Sequence, residues 1–288
     1  MRSPDGGSTA GLLIPFTKAH GAGNDFLLTF ASGLSPAPPD EQFPKIARAI
    51  CHRNTGIGAD GWYLIDSPAA GADARVRLWN SDGSKAELSG NGTRCAAALL
   101  VDRGMASDRV LIQTGAGLKE LRFEGRRDGA LWFEMEMGRP VPGDLHFPLP
   151  LPAGVREVAI IDVGNPQCAV VVDDFDFDWV SLGAEIEAHP HFPNRTNVSF
   201  IRRKDEHTIE ARFYERGAGH TLSSGTGSTG AAGVALMLGL VSTPVTVETE
   251  FCPLYIRKGA TGLEEGGSLY LTGPAEILAS GQYLFGRV

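Results

Sequence analysis

The sequence predicts an α+β protein built from two related halves, and three observations support this. A Ser-Gly-x-Gly turn followed by an alanine-rich apolar run begins at Ser89 and returns 135 residues later at Ser224. Short runs of β-branched and aromatic residues bounded by turn residues occur throughout the chain, which is typical of strands. The 288 residues, 42% of them apolar, suffice for two domains of about 140 residues each, an ordinary domain size.

The predicted elements are many strands and few helices. Strands are expected in the segments GWYLID, RVRLWN, RVLIQT, LWFEME, EVAIIDV, CAVVVDD, VSFIRR, IEARFYE, PVTVETE, LYIRK and SLYLTG. One helix is predicted after each Ser-Gly-x-Gly turn, from about Thr93 to Arg103 and from about Ser228 to Leu240, because the apolar residues there have helical spacing. A third helix is predicted from near Asp40 to Cys51.

The duplication extends beyond the two turns. The segment LWNSDGS precedes the first turn as FYERGAG precedes the second, with the same separation of 135 residues. The segment GNDF at Gly23 has a later counterpart in GNPQ at Gly164, and the triplet at Arg53 is echoed by that at Arg195. Each half therefore carries the same signals in the same order.

The boundary between the halves is predicted in the proline- and glycine-rich segment Met137–Gly154. The halves are then residues 14–140 and 141–274. The C-terminal tail, 275–288, is expected to return to the first half, and residues 1–13 are expected to form a loose leader.

The charge distribution argues against a nucleic-acid partner. The formal net charge is −8, from 34 acidic and 26 basic residues, whereas a phosphate-binding surface usually has a basic excess or stripe. The one dense basic run, Arg202–Lys204, is followed at once by Asp205 and Glu206, which predicts a solvated hairpin tip. The longest apolar stretch, Ala231–Val241, is too short to span a bilayer, so no membrane partner is expected.

The cysteine usage indicates a reducing compartment. The four cysteines are far apart and form no C-x-x-C pair, so the sequence suggests neither a zinc site nor a disulfide framework. The start of the chain lacks the basic-then-apolar order of a signal peptide. We therefore expect a cytoplasmic protein without a metal.

The two turns have structural and functional interpretations. Ser89 and Ser224 are good helix N-caps, and the glycines allow a tight turn. The second turn also matches a nucleotide-binding G-x-G-x-x-G, but no buried strand precedes it.

The functional interpretation uses both turns together. Two helix N-termini that face one cleft would hold a carboxylate. A duplicated fold also places equivalent groups on opposite sides of a ligand, as a racemase requires, since one group removes the Cα proton while the other delivers one.

Seven segments together resemble the diaminopimelate epimerase family. In order they are FTKAHGAGNDFLL, RNTGIGADG, NSDGSKAELSGNGTRC, GNPQCAVVV, RTNVSFI, FYERGAGHTLSSGTGSTGAA and LTGPA. The resemblance implies two pseudo-symmetric halves, each a β-barrel-like sheet around a central helix. It also implies epimerisation of an amino acid without pyridoxal phosphate, metal or other cofactor, and a homodimer.

The resemblance also implies the residues that hold a small amino-acid substrate. The amide side chains, the Glu-Arg pair and the backbone that cradles a carboxylate fall on Asn24, Asn80, Asn165, Asn197, Glu215, Arg216, Gly90, Asn91, Gly225 and Thr226. Such groups suit a zwitterion, because a carboxylate accepts from the ammonium group and a guanidinium binds a carboxylate.

The sequence departs from the family at the positions that carry the chemistry. Both catalytic cysteines of the family are serine here, Ser89 and Ser224, and a serine hydroxyl needs a neighbouring base to act. The family's histidine after Gly-Asn-Pro is Gln167, and its glutamine after the GIGxD stretch is Gly61. His220, four residues before Ser224, is a candidate replacement base, and Glu215 is another.

Three interpretations remain open from the sequence. The chain is an epimerase or racemase of the diaminopimelate epimerase type whose serines are activated by Glu215 or His220. Alternatively, it is a divergent relative that binds an amino-acid-like ligand or catalyses another proton shift without racemisation. Third, the serines are engineered replacements in an otherwise normal enzyme, although the changes at Gly61 and Gln167 argue against this. The first interpretation predicts that Ser89 and Ser224 face each other across Cα.

Overall fold

The computed structural model describes residues 11–68, 71–263 and 266–286. The first ten residues of the predicted leader lie outside the described residues. Its last residues, Leu12 and Leu13, belong to the first strand.

Contacts between Cα atoms divide the described residues into two compact units. The first comprises the residues up to Glu120 together with those from Ala275 onward, and the second comprises Leu121–Pro274. The predicted limits of the two sequence halves, near residue 140, are a different division and stay a prediction.

The first unit contains six strands, the ends of two others and two helices among its described residues. The strands are β1 (Leu12–Gly21), β2 (Asn24–Phe30), β3 (Gly61–Asp66), β4 (Ala74–Asn80), β5 (Lys85–Ala86), β6 (Arg109–Thr114), the start of β7 (Gly117–Arg127) and the end of β18 (Leu269–Phe285). The helices are α1 (Phe43–Cys51) and α2 (Gly90–Asp102).

The described residues of the second unit contain the remaining strands and two further helices. The strands are β8 (Ala130–Gly138), β9 (Val141–Pro142), β10 (Phe147–Leu151), β11 (Gly154–Asp162), β12 (Pro166–Val171), β13 (Asn197–Arg203), β14 (Thr208–Glu215), β15 (Gly219–Thr221), β16 (Val245–Glu248) and β17 (Leu254–Lys258). The helices are α3 (Trp179–Glu187) and α4 (Gly225–Met237).

The same topology occurs in both units. In the first, β1 pairs antiparallel with β2, β2 parallel with β3, β3 antiparallel with β4, and β4 antiparallel with β5 and parallel with β6. In the second, β11, β12, β13, β14, β15 and β16 repeat these pairings in the same order and directions. The sequence duplication is thus a duplication of fold.

One helix of each unit is central to its sheet. Helix α2 packs against β1, β2, β3 and β6, and helix α4 packs against β11, β12, β13, β14, β16 and β17. Nearly every residue of both helices is buried, which explains why their sequences are rich in alanine and glycine and lack a polar face. A Cβ atom at Gly92 would lie 2.4 Å from Cε2 of Tyr63, so this close approach needs a glycine. The predicted α+β class, with a sheet around a central helix in each unit, is confirmed.

The other two helices cover the opposite faces of the sheets. Helix α1 buries Phe43 against Trp62 and Trp79, with ring centroids 5.9 and 5.1 Å apart. Helix α3 packs on β13 and β14, where Val198 and Phe200 belong to the same buried cluster as Leu182.

The two Gly-Asn pairs lie at turns that lead into a strand, so Asn24 is the first residue of β2 and Asn165 directly precedes β12. In the β1–β2 hairpin, Ala22 and Gly23 have φ values of 51° and 94°, as a tight hairpin turn requires. Gly164 also has a φ of 94°, in the turn between β11 and β12. Asn24 and Asn165 follow these glycines directly.

Several predicted elements are found, with shifts. All eleven predicted strand segments contain a strand, and the basic run lies at a β13–β14 hairpin tip. The two helices after the turns begin three residues earlier than predicted, and the predicted helix from Asp40 begins with a 3₁₀ turn before α1. The proline-rich segment contains β9 and β10, and α3 was not predicted. None of the described helices is long and apolar enough to cross a membrane.

Candidate active site

Ser89 and Ser224 are both the N-cap residues of central helices. The Ser89 hydroxyl accepts from the N–H of Gly92 at 3.2 Å, and the Ser224 hydroxyl accepts from that of Gly227 at 3.0 Å. These caps leave the N–H groups of the first turn, at Gly90 and Asn91 or at Gly225 and Thr226, without an intrahelical acceptor. The predicted structural role is therefore correct, and each helix N-terminus is also suited to an anion.

A carboxylate accompanies the serine of the second unit. The Ser224 hydroxyl donates to Oε1 of Glu215 at 2.6 Å, and the hydroxyl of Thr221 donates to Oε2 at 2.8 Å. Ser224 is only 3% exposed, and Glu215 is half-buried at the end of β14. A hydrogen bond of this length from a hydroxyl to a carboxylate is of the strong, charge-assisted type. The Ser224 proton is therefore directed at a potential base.

The first unit has an amide where the second has this carboxylate. Asn80 ends β4 and stands nine residues before Ser89, as Glu215 ends β14 and stands nine residues before Ser224. The Asn80 side chain donates to the hydroxyl of Ser84 at 2.9 Å.

Asn24 and Asn91 form a linked pair of amides in the first unit. The Asn91 side chain donates to Oδ1 of Asn24 at 2.5 Å, and its own Oδ1 accepts from the buried guanidinium of Arg94. The Asn24 Nδ2 donates to Oδ2 of Asp60 at 3.3 Å. Because an arginine only donates, these contacts fix which end of each amide is the oxygen.

An ionic network holds the carboxylates behind Asn24. Arg53 donates to both oxygens of Asp25, at 3.1 and 2.8 Å, and to Asp60 at 2.7 Å. Lys18 lies 3.0 Å from Asp25. Burial of Asp25 acts to raise its pKa, but the hydrogen bonds from Arg53 and Lys18 outweigh burial, so the pKa is lower than its ordinary value. Asp25 thus remains charged, and Asp60, which binds the same arginine, accepts from the Asn24 amide.

The asparagines of the second unit are also oriented by neighbours. The Asn165 Oδ1 accepts from Nε2 of Gln167 at 2.8 Å, and its Nδ2 lies 3.4 Å from the hydroxyl of Thr226. The Asn197 side chain donates to the carbonyl of Pro166 and accepts from the N–H of Arg216, each at 3.0 Å. The exposed Arg216 guanidinium donates to the carbonyl of Asn194 at 3.1 Å.

Comparison with known proteins identifies the family. The sequence model of the family described as diaminopimelate epimerase matches residues 16–142 and 159–278. The diaminopimelate epimerase of Pelotomaculum thermopropionicum is 38% identical over 286 residues, which cover 93% of this chain and 98% of the relative. That of Archaeoglobus fulgidus is 41% identical over 248 residues, which cover 82% and 86%. The chain belongs to the diaminopimelate epimerase family.

Solved structures of low sequence identity share the fold. A Bacillus anthracis phenazine biosynthesis protein of the PhzF family has a TM-score of 0.72 at 16% identity, covering 95% of this chain and 99% of its own. A hydroxyproline epimerase from Agrobacterium vitis has a TM-score of 0.69 at 15% identity, covering 96% and 93%. At such identities the likeness shows the fold alone.

Two departures from the diaminopimelate epimerase pattern lie in packed surroundings. Gly61 is buried, and a Cβ atom there would lie 3.0 Å from the carbonyl oxygen of Trp79 and 3.1 Å from Cδ1 of Leu78. The space next to Gly61 is therefore filled. Gln167 is only 1% exposed, and its Oε1 has no hydrogen-bond partner among the described residues. An amide that orients Asn165 thus stands where the resemblance places a histidine.

His220 does not contact Ser224, contrary to the suggestion that it replaces the base. In the β14–β15 pairing, His220 lies opposite Tyr214, and the strand alternation directs it away from the face that carries Glu215 and Thr221. Its Nε2 lies 2.7 Å from Glu250, and its ring packs edge-on against Trp179. The hydroxyl of Ser224 is instead bound to Glu215.

Sequence reasoning missed three residues that contact the site. They are Thr221, which donates to Glu215, Arg94, which orients Asn91, and Tyr63, whose hydroxyl donates to the Ser89 carbonyl at 3.3 Å. Burial raises the pKa of Tyr63, so this phenol stays protonated. The alternation of side chains along β14 and β15 could have identified Thr221, because it places Thr221 on the same face of the sheet as Glu215. The described residues contain no group of three or more His, Cys, Asp or Glu that could hold a metal ion.

Proposed function

We propose that this protein is a pyridoxal phosphate-independent amino-acid epimerase that moves the proton on Cα and converts LL- into meso-diaminopimelate, a step of lysine and peptidoglycan biosynthesis. The hydrogen bond of 2.6 Å from Ser224 to Glu215 is the observation that carries the proposal. It supplies the neighbouring base that a serine needs to take part in proton transfer.

The helix N-termini support the same proposal. Removal of the Cα proton puts negative charge on the substrate carboxylate, which becomes an enediolate. The N–H groups at Gly90 and Asn91 and at Gly225 and Thr226 are donors for such an anion, and each lies at the positive end of a 13-residue helix. The family resemblance implies that the residues at the positions of Ser89 and Ser224 act at opposite faces of Cα.

The rest of the substrate is proposed to bind the amides and the arginine. Arg216 suits a distal carboxylate, and Asn24, Asn80, Asn165 and Asn197 suit an ammonium or carboxylate group. Because Gly61 has no side chain, the contact that the family's glutamine would make with the substrate is absent in this proposal. A panel of amino acids therefore belongs in the test.

Proton NMR in D₂O tests the proposal. LL-diaminopimelate and a panel of other amino acids are incubated with the protein, with the Ser89→Cys/Ser224→Cys double variant and without enzyme. We expect enzyme-dependent loss of a Cα proton signal and formation of the other isomer with the unmodified protein. No exchange with the unmodified protein on any amino acid would contradict the proposal, and exchange by the double variant alone would show an intact site disabled at its two serines.

The alternative is a relative that binds an amino-acid-like ligand, or shifts a proton, without racemisation. The observation that favours it is the amide of Asn80 in the first unit, which gives Ser89 no carboxylate like that of Glu215. Calorimetric titration with the same amino acids separates the two proposals. Binding without Cα exchange in D₂O supports the alternative.

We further propose that the protein is a cytoplasmic homodimer. The family resemblance implies the dimer, and Cys51, Cys95 and Cys168, which are buried free thiols, suit a reducing compartment. Light scattering after size-exclusion chromatography checks the dimer, for which we expect about twice the chain mass of 30.6 kDa.

A further inference from the structure

The two capping serines differ in the residue that ends the strand nine positions before them. At the end of β14 the second unit has Glu215, which accepts from Ser224 at 2.6 Å and from Thr221 at 2.8 Å. At the end of β4 the first unit has Asn80. A carboxylate accepts a proton at neutral pH, whereas an amide does not. The duplication therefore provides an internal comparison of two otherwise equivalent positions.

The second unit is arranged for a proton relay. The Ser224 hydroxyl donates to Glu215 and accepts from the N–H of Gly227. When its proton passes to Glu215, the oxygen can take a proton from carbon in the same step. Gly227 and the helix α4 N-terminus stabilise negative charge on that oxygen during the transfer.

The first unit has no corresponding acceptor among its described residues. The Ser89 hydroxyl accepts from Gly92, and the Tyr63 phenol, which hydrogen-bonds to Ser89, stays protonated because burial raises its pKa, so it is no proton acceptor. Asp25 and Asp60 are the buried or half-buried carboxylates near the Asn24 amide, and both bind Arg53. Their partners are Arg53, Lys18, backbone N–H groups and Asn24, and no hydrogen bond joins either carboxylate to Ser89.

We infer that proton transfer is one-sided: Glu215, acting through Ser224, exchanges the Cα proton of one substrate configuration with retention much faster than the protein inverts that centre. In this step the Cα–H bond breaks and its electron pair remains on the substrate as the enediolate. The proton joins Oγ of Ser224 while the Ser224 proton joins Oε1 of Glu215. Reversal after solvent exchange at Glu215 returns a deuteron to the same face. This inference rests on the proposed function.

The difference between the rates of retention exchange and inversion follows because Ser89 has no acid–base partner like Glu215 among the described residues. General acid–base catalysis by a positioned side chain contributes about 10²- to 10⁴-fold. Inversion needs Ser89 to deliver or remove a proton without such a partner. We therefore expect retention exchange to exceed inversion by about 100-fold or more.

The test compares opposite configurations. LL- and meso-diaminopimelate, which differ at one centre only, and L and D pairs of the amino-acid panel are incubated with the protein in D₂O. Deuterium at Cα is followed by NMR and configuration by chiral chromatography. We expect one member of a pair to exchange with retention at the reacting centre and the other member, of opposite configuration there, to exchange about 100-fold more slowly or not at all. Comparable exchange of both members, or inversion as fast as exchange, overturns the inference and leaves the epimerase proposal intact. Absence of exchange with every pair overturns both.

Variants test which residues cause the difference between retention exchange and inversion. Glu215→Gln keeps the size of the side chain and should abolish retention exchange, whereas Glu250→Gln, a carboxylate bound to His220 instead, should not. Asn80→Glu places a carboxylate at the equivalent position in the first unit and should raise the ratio of inversion to retention exchange, whereas Asn80→Gln, which lengthens this proposed substrate-binding side chain without adding a base, controls for altered binding and should not raise that ratio. Thermal unfolding of each variant identifies any that fails to fold. Exchange that survives in folded Glu215→Gln, or an equal ratio of inversion to retention exchange in Asn80→Glu and Asn80→Gln, would contradict the assignment.

Discussion

The Ser224 hydroxyl donates a hydrogen bond of 2.6 Å to Oε1 of Glu215 while it accepts one from the N–H of Gly227, so this side chain joins helix α4 to the end of strand β14. The Ser89 hydroxyl makes the equivalent cap with Gly92, and the described residues include no carboxylate bonded to it. The two caps should therefore differ in their contribution to stability as well as in chemistry.

Ser224→Ala should destabilise the protein more than Ser89→Ala. Loss of a serine N-cap costs about 1 kcal/mol, and loss of a hydrogen bond to a charged group costs about 1.5–3 kcal/mol more. Only Ser224 has the second bond. Urea unfolding followed by circular dichroism measures both variants, and equal losses of unfolding free energy would show that the bond to Glu215 adds nothing.

Gly92→Ala should destabilise the protein by about 1–3 kcal/mol, because the new methyl group would overlap the buried ring of Tyr63. Gly233→Ala in α4 is the matched control. Its Cβ atom would lie 3.1 Å from the flexible end of Ile161, and alanine favours the helix by about 1 kcal/mol over glycine. Thermal unfolding compares the two, and a larger loss in Gly233→Ala would contradict the packing described for Tyr63.

The stability that Asp25 provides should be lost in acid. Its pKa is lower in the folded protein than the ordinary value of 3.8, because Arg53 and Lys18 outweigh the effect of burial. A carboxyl group of this kind contributes fully above its unfolded pKa and loses the contribution as the pH falls through the folded pKa. The stability difference between the unmodified protein and Asp25→Asn should thus be largest near pH 6 and shrink below about pH 4. Urea midpoints across this range measure it, and a difference independent of pH would argue against a charged Asp25.

His220→Gln should change the rate of Cα exchange by less than about twofold, since strand alternation directs His220 away from the Glu215 face and towards Glu250. The loss of this partly exposed pair should cost at most about 1 kcal/mol of stability. Exchange in D₂O is measured beside Glu215→Gln. A tenfold loss in His220→Gln would restore histidine as a candidate base.

The duplicated fold was predictable because its signals are local. Glycines in tight turns, N-cap serines and alternating strands recur at nearly constant separation, and the matched glycines Gly23 and Gly164 both have a φ of 94°. The helix starts were placed three residues late because apolar spacing was used in place of the cap itself. The N-cap serine was the more reliable marker, since the helix begins directly after it.

The contacts of the site depend on pairing and were harder to predict. His220 is close to Ser224 in sequence, but the register of β14 with β15 places it on the opposite face. Helix α3 begins at the cap formed by Asp178 with the N–H of Ser181, a weaker signal than the glycine-rich turns. The tight surroundings of Gly61 arise from Trp79 and Leu78 on the neighbouring strand, which no local pattern reveals.

The replacement of thiols by hydroxyls also determines how these positions respond to oxidants. A reactive thiolate is converted by peroxide to sulfenic and then sulfinic acid, and alkylating reagents trap it, whereas a serine hydroxyl undergoes neither reaction. Cys51, Cys95 and Cys168 are buried, and burial raises the pKa of each to about 12, so these thiols are also poor nucleophiles. The capping positions of α2 and α4, which the resemblance matches to cysteines in the family, therefore resist the peroxide and alkylating reagents that modify a reactive thiolate.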